Sequence, residues 1–265
     1  MNKILLFLAA MAVIGSVHAQ RLILDPSFVV GIPVGDFREN TDATGFGLGT
    51  AIMYKPAIMP VAFGLDGNFQ VYGSNTQYED LYANIMLGNT VIDQIHIPLK
   101  ITTENTIFNL NAIVRVMPDL RHVRPFIDGL IGFRSIGTTT KIYDETSEHT
   151  YAKEDNGLIV SKKQIGDFVF SYGGALGVMV DVGKADLISI QLKGSYTRGG
   201  NADYFDGSDT EQWRVEFTGT DPGNIEGDDL NYNVTPRHSE TDMLTFHLGV
   251  AFRIPLSKIN QNSIK

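Results

Sequence analysis

The sequence predicts an all-β chain: an antiparallel transmembrane β-barrel, eight strands in the reading below, with short periplasmic turns and long external loops. Three observations point there. Apolar and polar residues alternate with period two along one segment after another, which is the pattern of an extended strand and not of a helix. The connections between these segments alternate between short and long. The polar face of the segments carries charges of both signs, which hydrocarbon would not tolerate but a narrow lumen would.

The first nineteen residues stand apart. Lys3 supplies a basic start, residues 4–14 an apolar run, and Val17-His18-Ala19 a small-residue cleavage site, so residues 1–19 read as a secretory signal peptide cleaved after Ala19. Residues 20–256 form the expected barrel domain and 257–265 a periplasmic tail. No later stretch approaches the run of about 20 apolar residues that a membrane-spanning helix needs. The chain has no cysteine, so an exported protein of this composition holds together without disulfides. A formal net charge of −9 argues against a nucleic-acid partner.

The first segment, 22–33, sets Leu22, Leu24, Phe28, Val30 and Ile32 on one face, with Asp25 on the other. The second, 45–54, sets Phe46, Leu48, Ile52 and Tyr54 against Gly47, Gly49 and Ala51. In the third, 61–72, Phe63, Leu65, Phe69 and Val71 oppose Asp66, Asn68 and Gln70. The fourth, about 103–117, sets Phe108, Leu110, Ala112, Val114 and Val116 against Asn109, Asn111 and Arg115.

In the fifth, PFIDGLIGFRSIG, Ile127, Ile131 and Phe133 oppose Asp128, Gly132 and Arg134. The sixth, FVFSYGGALGVMVD, sets Phe170, Tyr172, Leu176, Val178 and Val180 against Ser171, Gly173, Ala175, Gly177 and Asp181. The seventh, LISIQLKGSYTRG, sets Ile188, Ile190, Leu192 and Tyr196 against Ser189, Gln191, Lys193 and Thr197. The eighth, LTFHLGVAFRIPL, sets Leu244, Phe246, Leu248, Val250, Phe252, Ile254 and Leu256 against Thr245, His247, Gly249, Ala251 and Arg253.

Short turns are expected near 55–59, 118–121 and 182–185, and long loops at 34–44, 73–100, 138–165 and 200–241. A soluble barrel has no reason to gather its long loops at one end, whereas an outer-membrane barrel does. Turned inside out, the apolar face would also need more room than an eight-stranded lumen offers. The apolar face therefore points to lipid. Asp25, Asp66, Arg115, Asp128, Arg134, Asp181, Lys193, His247 and Arg253 form the expected luminal polar network. Two further strands hidden in the long loops would make ten, and a narrow channel would then be an option.

The acidic loop 200–241 holds nine acidic residues between Asp203 and Asp229, with Arg214 and Arg237 as its basic residues. Asp203, Asp206, Asp209 and Glu211 are a candidate calcium set, since hard oxygen ligands cluster there, but the spacing does not match an EF-hand. A solvated acidic loop is the reading preferred. Trp213, within WRVEF, is a candidate partner contact. His238-Ser239-Glu240 hold hydrolase residue types, yet neighbours on a strand face opposite ways and cannot form a triad alone. His96, His122 and His149 lack metal-ligand spacing. No cofactor is expected.

Several phrases carry a family resemblance: IPVGDF at 32–37, GFGLG at 45–49, IHIPLKI at 95–101 and VRPFIDGLIGF at 123–133. In these the chain resembles outer-membrane β-barrel proteins common in Bacteroidota, related in architecture to OmpA and OmpX and including PorT-like proteins. The resemblance implies residence in the cell outer membrane and contact with its lipids and with the barrel-assembly machinery. It also implies possible envelope protein partners. No aromatic residue ends the chain, so an assembly signal would be internal, near 252–256. The short periplasmic segments leave no room for a peptidoglycan-binding domain. The function expected is that of a non-enzymatic surface or scaffold protein. The alternative is an accessory subunit of an envelope secretion machine, with a lipid-modifying enzyme or a narrow pore behind it.

Overall fold

The computed structural model describes residues 20–41, 43–56, 59–87, 90–118, 120, 122–144, 158–182, 187–206, 209, 216–217, 230–231 and 235–256. The expected signal peptide, the tail, Glu211, Trp213 and His149 lie outside them. The elements are β1 (Arg21–Pro33), α1 (Asp36–Asn40), β2 (Gly45–Lys55), β3 (Val61–Leu87), β4 (Thr90–Val116), β5 (Val123–Asp144) and β6 (Leu158–Asp181). They continue with β7 (Ile188–Gly199), β8 (Asn201–Tyr204), β9 (Glu216–Phe217), β10 (Leu230–Asn231), β11 (Arg237–Glu240) and β12 (Met243–Pro255).

Eight strands close into a barrel in the order β1-β12-β7-β6-β5-β4-β3-β2. Every neighbour is antiparallel, and the first and last strands seal the ring, from Arg21 opposite Pro255 to Pro33 opposite Met243. Closure pairs the backbone of each ring strand on both sides, so the ring itself has no sheet edge. Its exterior is apolar: Phe28 is 72% exposed, Leu65 57% and Leu248 57%, and each is flanked along its strand by inward neighbours. The alternating segments thus face as their patterns require.

The strands on one side of the barrel are far longer than their apolar alternation. Residues 73–100 and 138–165, expected as loops, extend the ladders instead: Ser74 opposes Glu104, Leu99 opposes Asp144, and Tyr143 opposes Leu158. The departure point is a bulge. Between Val71↔Thr106 and Ser74↔Glu104, Tyr72 and Gly73 stand against Asn105 alone, and Gly73 has φ +77°, a conformation suited to glycine. The extra residue switches the outward set of β3 from odd to even positions. It falls where β2 begins, at Gly45 opposite Tyr72. Beyond it, β3, β4, β5 and β6 rise past the ring as a four-stranded wall.

The other long loops carry short elements. α1 occupies part of 34–44, and within 200–241 β8 pairs with β11 and β9 with β10. These extra strands lie outside the ring, so the barrel keeps eight.

The interior is layered. At the short-turn end, Ile23, Met53, Ile113, Met117, Phe126, Leu130 and Met179 join small alanines in a buried apolar cluster. At the long-loop end a second cluster unites Phe37, Tyr72, Ile107, Ile136, Tyr204 and Met243. Polar side chains fill the barrel between them.

Candidate functional site

The polar interior centres on Arg115. It is fully buried and grips Asp128 with two bonds, Nε to Oδ1 at 2.7 Å and Nη2 to Oδ2 at 2.8 Å. Its Nη1 donates to Gln191 Oε1 at 2.9 Å and lies 3.6 Å from Asp25 Oδ2. Its guanidinium stacks 3.8 Å from the centre of the Phe126 ring. Lys193 Nζ pairs with Asp66 Oδ2 at 2.6 Å, and Ser27 Oγ meets His247 Nδ1 at 3.3 Å. Nearer the short turns, Arg253 bonds Asp181 and Ser189, and Arg124 Nη2 reaches Asp181 Oδ2 at 2.9 Å. Nearer the long loops, Arg134 donates through Nε to Asn109 Oδ1 at 2.8 Å and through Nη2 to Thr197 Oγ1 at 2.6 Å.

The structure thus places all nine residues of the expected network inside the barrel, and adds Ser27, Asn109, Arg124, Ser189, Gln191 and Thr197 as their partners. Gln191 and Ser189 were legible as the inward positions flanking Lys193. Arg124 begins a strand beside a turn, where no alternation marks its face. Arg115 meets Asp128 on the next strand, Lys193 meets Asp66 and Arg253 meets Asp181 across more distant ones, and Arg134 is held by the neutral oxygens of Asn109 and Thr197, which is how buried charges are tolerated. The Ser27–His247 pair is enclosed between two apolar layers, and no described feature gives a substrate a path to it.

At the long-loop end α1, β8 and β11 pack together as a cap. Phe37 of α1 is fully buried and meets the ring of Tyr204 edge-on at 5.0 Å and that of Tyr72 at 5.9 Å. Tyr204 Oη and Ser239 Oγ lie 2.6 Å apart, and burial pushes the Tyr204 phenol above its ordinary pKa, so it stays protonated. Thr41 Oγ1 donates to Asp206 Oδ1 at 2.6 Å. Arg237 ties the two halves of the cap, gripping Asp209 (Nη2 to Oδ1, 2.6 Å) while it donates to the Asn40 carbonyl.

These contacts bear on the calcium candidates. Asp203 bonds His238 Nδ1 at 2.6 Å, Asp206 accepts from Thr41, and Asp209 binds Arg237. Each of the three carboxylates accepts from a donor of the chain itself, among the described residues no three His, Asp or Glu converge as a metal site, and Glu211 lies outside those residues. His238, Ser239 and Glu240 diverge along β11: His238 faces Asp203, Ser239 faces Tyr204, and Glu240 accepts from Arg198 Nη2 at 2.8 Å.

No family model matches the sequence, and no curated protein matches it either. Among solved structures the chain is similar to a major outer membrane protein from Thermus thermophilus, at 17% identity over 89% of this chain and 100% of that one, with a TM-score of 0.42. It is similar to Ail, the attachment invasion locus protein of Yersinia pestis, solved with the heparin analogue sucrose octasulfate, at 11% identity over 90% and 100% of the two chains, TM-score 0.39. Neisserial surface protein A follows at 10% identity over 89% and 96%, TM-score 0.35. All three are outer-membrane β-barrel proteins. At such identities the likeness concerns fold alone.

Proposed function

We propose that this chain is an integral outer-membrane β-barrel, exported with loss of residues 1–19, that serves as a non-enzymatic surface scaffold. One observation carries the reading: a closed eight-stranded ring with an apolar exterior whose interior is filled and layered. A ring this narrow holds side chains and not an aqueous channel. An apolar exterior on a sheet with no ring edge suits hydrocarbon, where every backbone group must be paired internally. Lipid contacts the belt, and the long-loop end, with its wall and cap, is the part left to meet other molecules.

The experiment is fractionation of native membranes followed by mild-detergent affinity purification and mass spectrometry. Recovery in the outer membrane as a monomer, with a gel mobility that changes on boiling, supports a self-sufficient scaffold. A stoichiometric partner set would favour a subunit of an envelope machine. Recovery in the soluble fraction would overturn the reading.

A further inference from the structure

The outward face of the wall formed by β3, β4 and β5 changes chemistry row by row along the same strands. On β4 the outward residues run Val116, Val114, Ala112, Leu110 and Phe108, then Thr106, Glu104, Thr102 and Lys100. On β5 they run Ile131 and Phe133, then Ser135, Gly137, Thr139, Lys141 and Tyr143. The inward neighbours, among them Ile101, Thr103, Thr138 and Ile142, are buried, so only one face of this part of the wall is open. We propose that this open face lies against the saccharide headgroup of outer-leaflet glycolipid, the lipopolysaccharide of the membrane that holds the barrel. The proposal rests on the membrane reading above.

Height is the first argument. With a rise of about 3.3 Å per residue and a strand tilt of about 40°, each residue climbs about 2.5 Å. The apolar run from Val116 to Phe108 then spans about 20 Å, close to the height of an outer-membrane apolar band of about 25 Å. Thr102 stands about 15 Å and Lys100 about 20 Å above Phe108. Acyl chains end at the belt and lipid phosphates lie just above it, so these rows reach the sugars. The face continues the lipid-facing surface without a break, and whatever covers the leaflet at that height must touch it.

Chemistry is the second argument. Thr76, Thr102 and Lys141 share one cross-strand row; Tyr78, Lys100 and Tyr143 share the next. The Thr76 and Thr102 hydroxyls lie 3.4 Å apart, and Lys141 Nζ donates to Glu104 Oε2 at 3.3 Å while both side chains stay more than a third exposed. Donors and acceptors therefore repeat at the strand spacing of about 4.8 Å across the face, as the hydroxyls of neighbouring sugars require. Tyr78 is 68% exposed and offers an aromatic face to a sugar ring. Among the described residues of this face Lys100 and Lys141 are balanced by Asp80 and Glu104, so an anionic phosphate finds no excess of positive charge there. Among the described residues the face also lacks the apolar centre that a protein partner would use.

The test is amine acylation of Lys100 and Lys141 in the mature chain, read by mass spectrometry. The chain is inserted into nanodiscs of phosphatidylcholine, of lipid A, or of lipopolysaccharide bearing its core sugars. Insertion is checked each time by gel mobility before and after boiling. Failure to insert in any of them would overturn the membrane reading itself. With insertion secured, acylation of both lysines should slow several-fold with the core-bearing glycolipid and stay level between phosphatidylcholine and lipid A. Replacing Tyr78→Ala and Tyr143→Ala together should remove much of that protection without changing insertion. No slowing with core sugars, or equal slowing with lipid A alone, would overturn the proposal. So would equal slowing by free core oligosaccharide added to phosphatidylcholine nanodiscs, which would make the partner a soluble sugar.

Discussion

Replacing Arg115→Met separates a filled polar lumen from a merely decorated one. Arg115 makes two bonds to Asp128, one to Gln191 and a close approach to Asp25, with none of its surface in solvent. Methionine keeps much of the volume over Phe126 but leaves the Asp128 carboxylate, 2% exposed, without its cation. Removing one partner of a buried pair destabilises by about 3–5 kcal/mol, whereas replacing both by apolar groups is often near neutral. The double variant Arg115→Met, Asp128→Leu should therefore recover most of the loss. Lys141→Met, at a pair more than a third exposed, should cost roughly 0.2–1 kcal/mol because water screens it. Urea titration of the folded barrel in detergent, followed by far-ultraviolet circular dichroism and gel mobility, reads all three. An Arg115→Met loss below about 1 kcal/mol, or a double variant as unstable as the single, would refute the inward, paired placement of this network.

The exterior makes its own demands. Leu248→Arg, in the apolar belt on β12, should destabilise by about 2–4 kcal/mol in bilayers, while Thr102→Arg on the wall should change stability little; equal losses in urea titration would misplace the belt. Gly47 packs against the backbone of Phe69 and Gln70 so closely that a Cβ would overlap it, whereas a Cβ on Gly129 meets nothing within 4 Å. Gly47→Ala should therefore cost about 1–3 kcal/mol in the same titration and Gly129→Ala almost nothing. Phe37→Ala, by emptying the site between Tyr72 and Tyr204, should cost about 3–5 kcal/mol and loosen the cap to protease. It should still show no ion conductance in planar bilayers, because the apolar layer at the opposite end remains.

The faces of the ring strands were legible because lipid outside and a polar lumen inside force period two on Phe63, Leu65 and Phe69 or on Leu244, Phe246 and Leu248. Strand ends were less so. Above the belt the outward face meets a polar medium, alternation fades, and residues 73–100 look like loop. The remaining signal was β-propensity: Thr76, Thr102, Thr103 and Thr138 to Thr140 suit a pleated, half-buried surface. The apolar layers were missed because Ile113, between Ala112 and Val114, breaks alternation into a plain apolar run, and Met53 does the same beside Ile52. The pairings of Asp203, Asp206 and Asp209 join residues separated by the whole cap, and no local pattern announces them.

The central claim is that the outward apolar rows touch the acyl chains of the bilayer and the wall above them does not. Because the chain has no cysteine, single substitutions at Leu65, Leu110 and Thr102 give clean attachment points for a fluorescent label. In vesicles whose acyl chains carry bromine, labels at Leu65→Cys and Leu110→Cys should be quenched strongly and the label at Thr102→Cys left bright. Bright labels at all three positions, or quenching only at Thr102→Cys, would contradict the account.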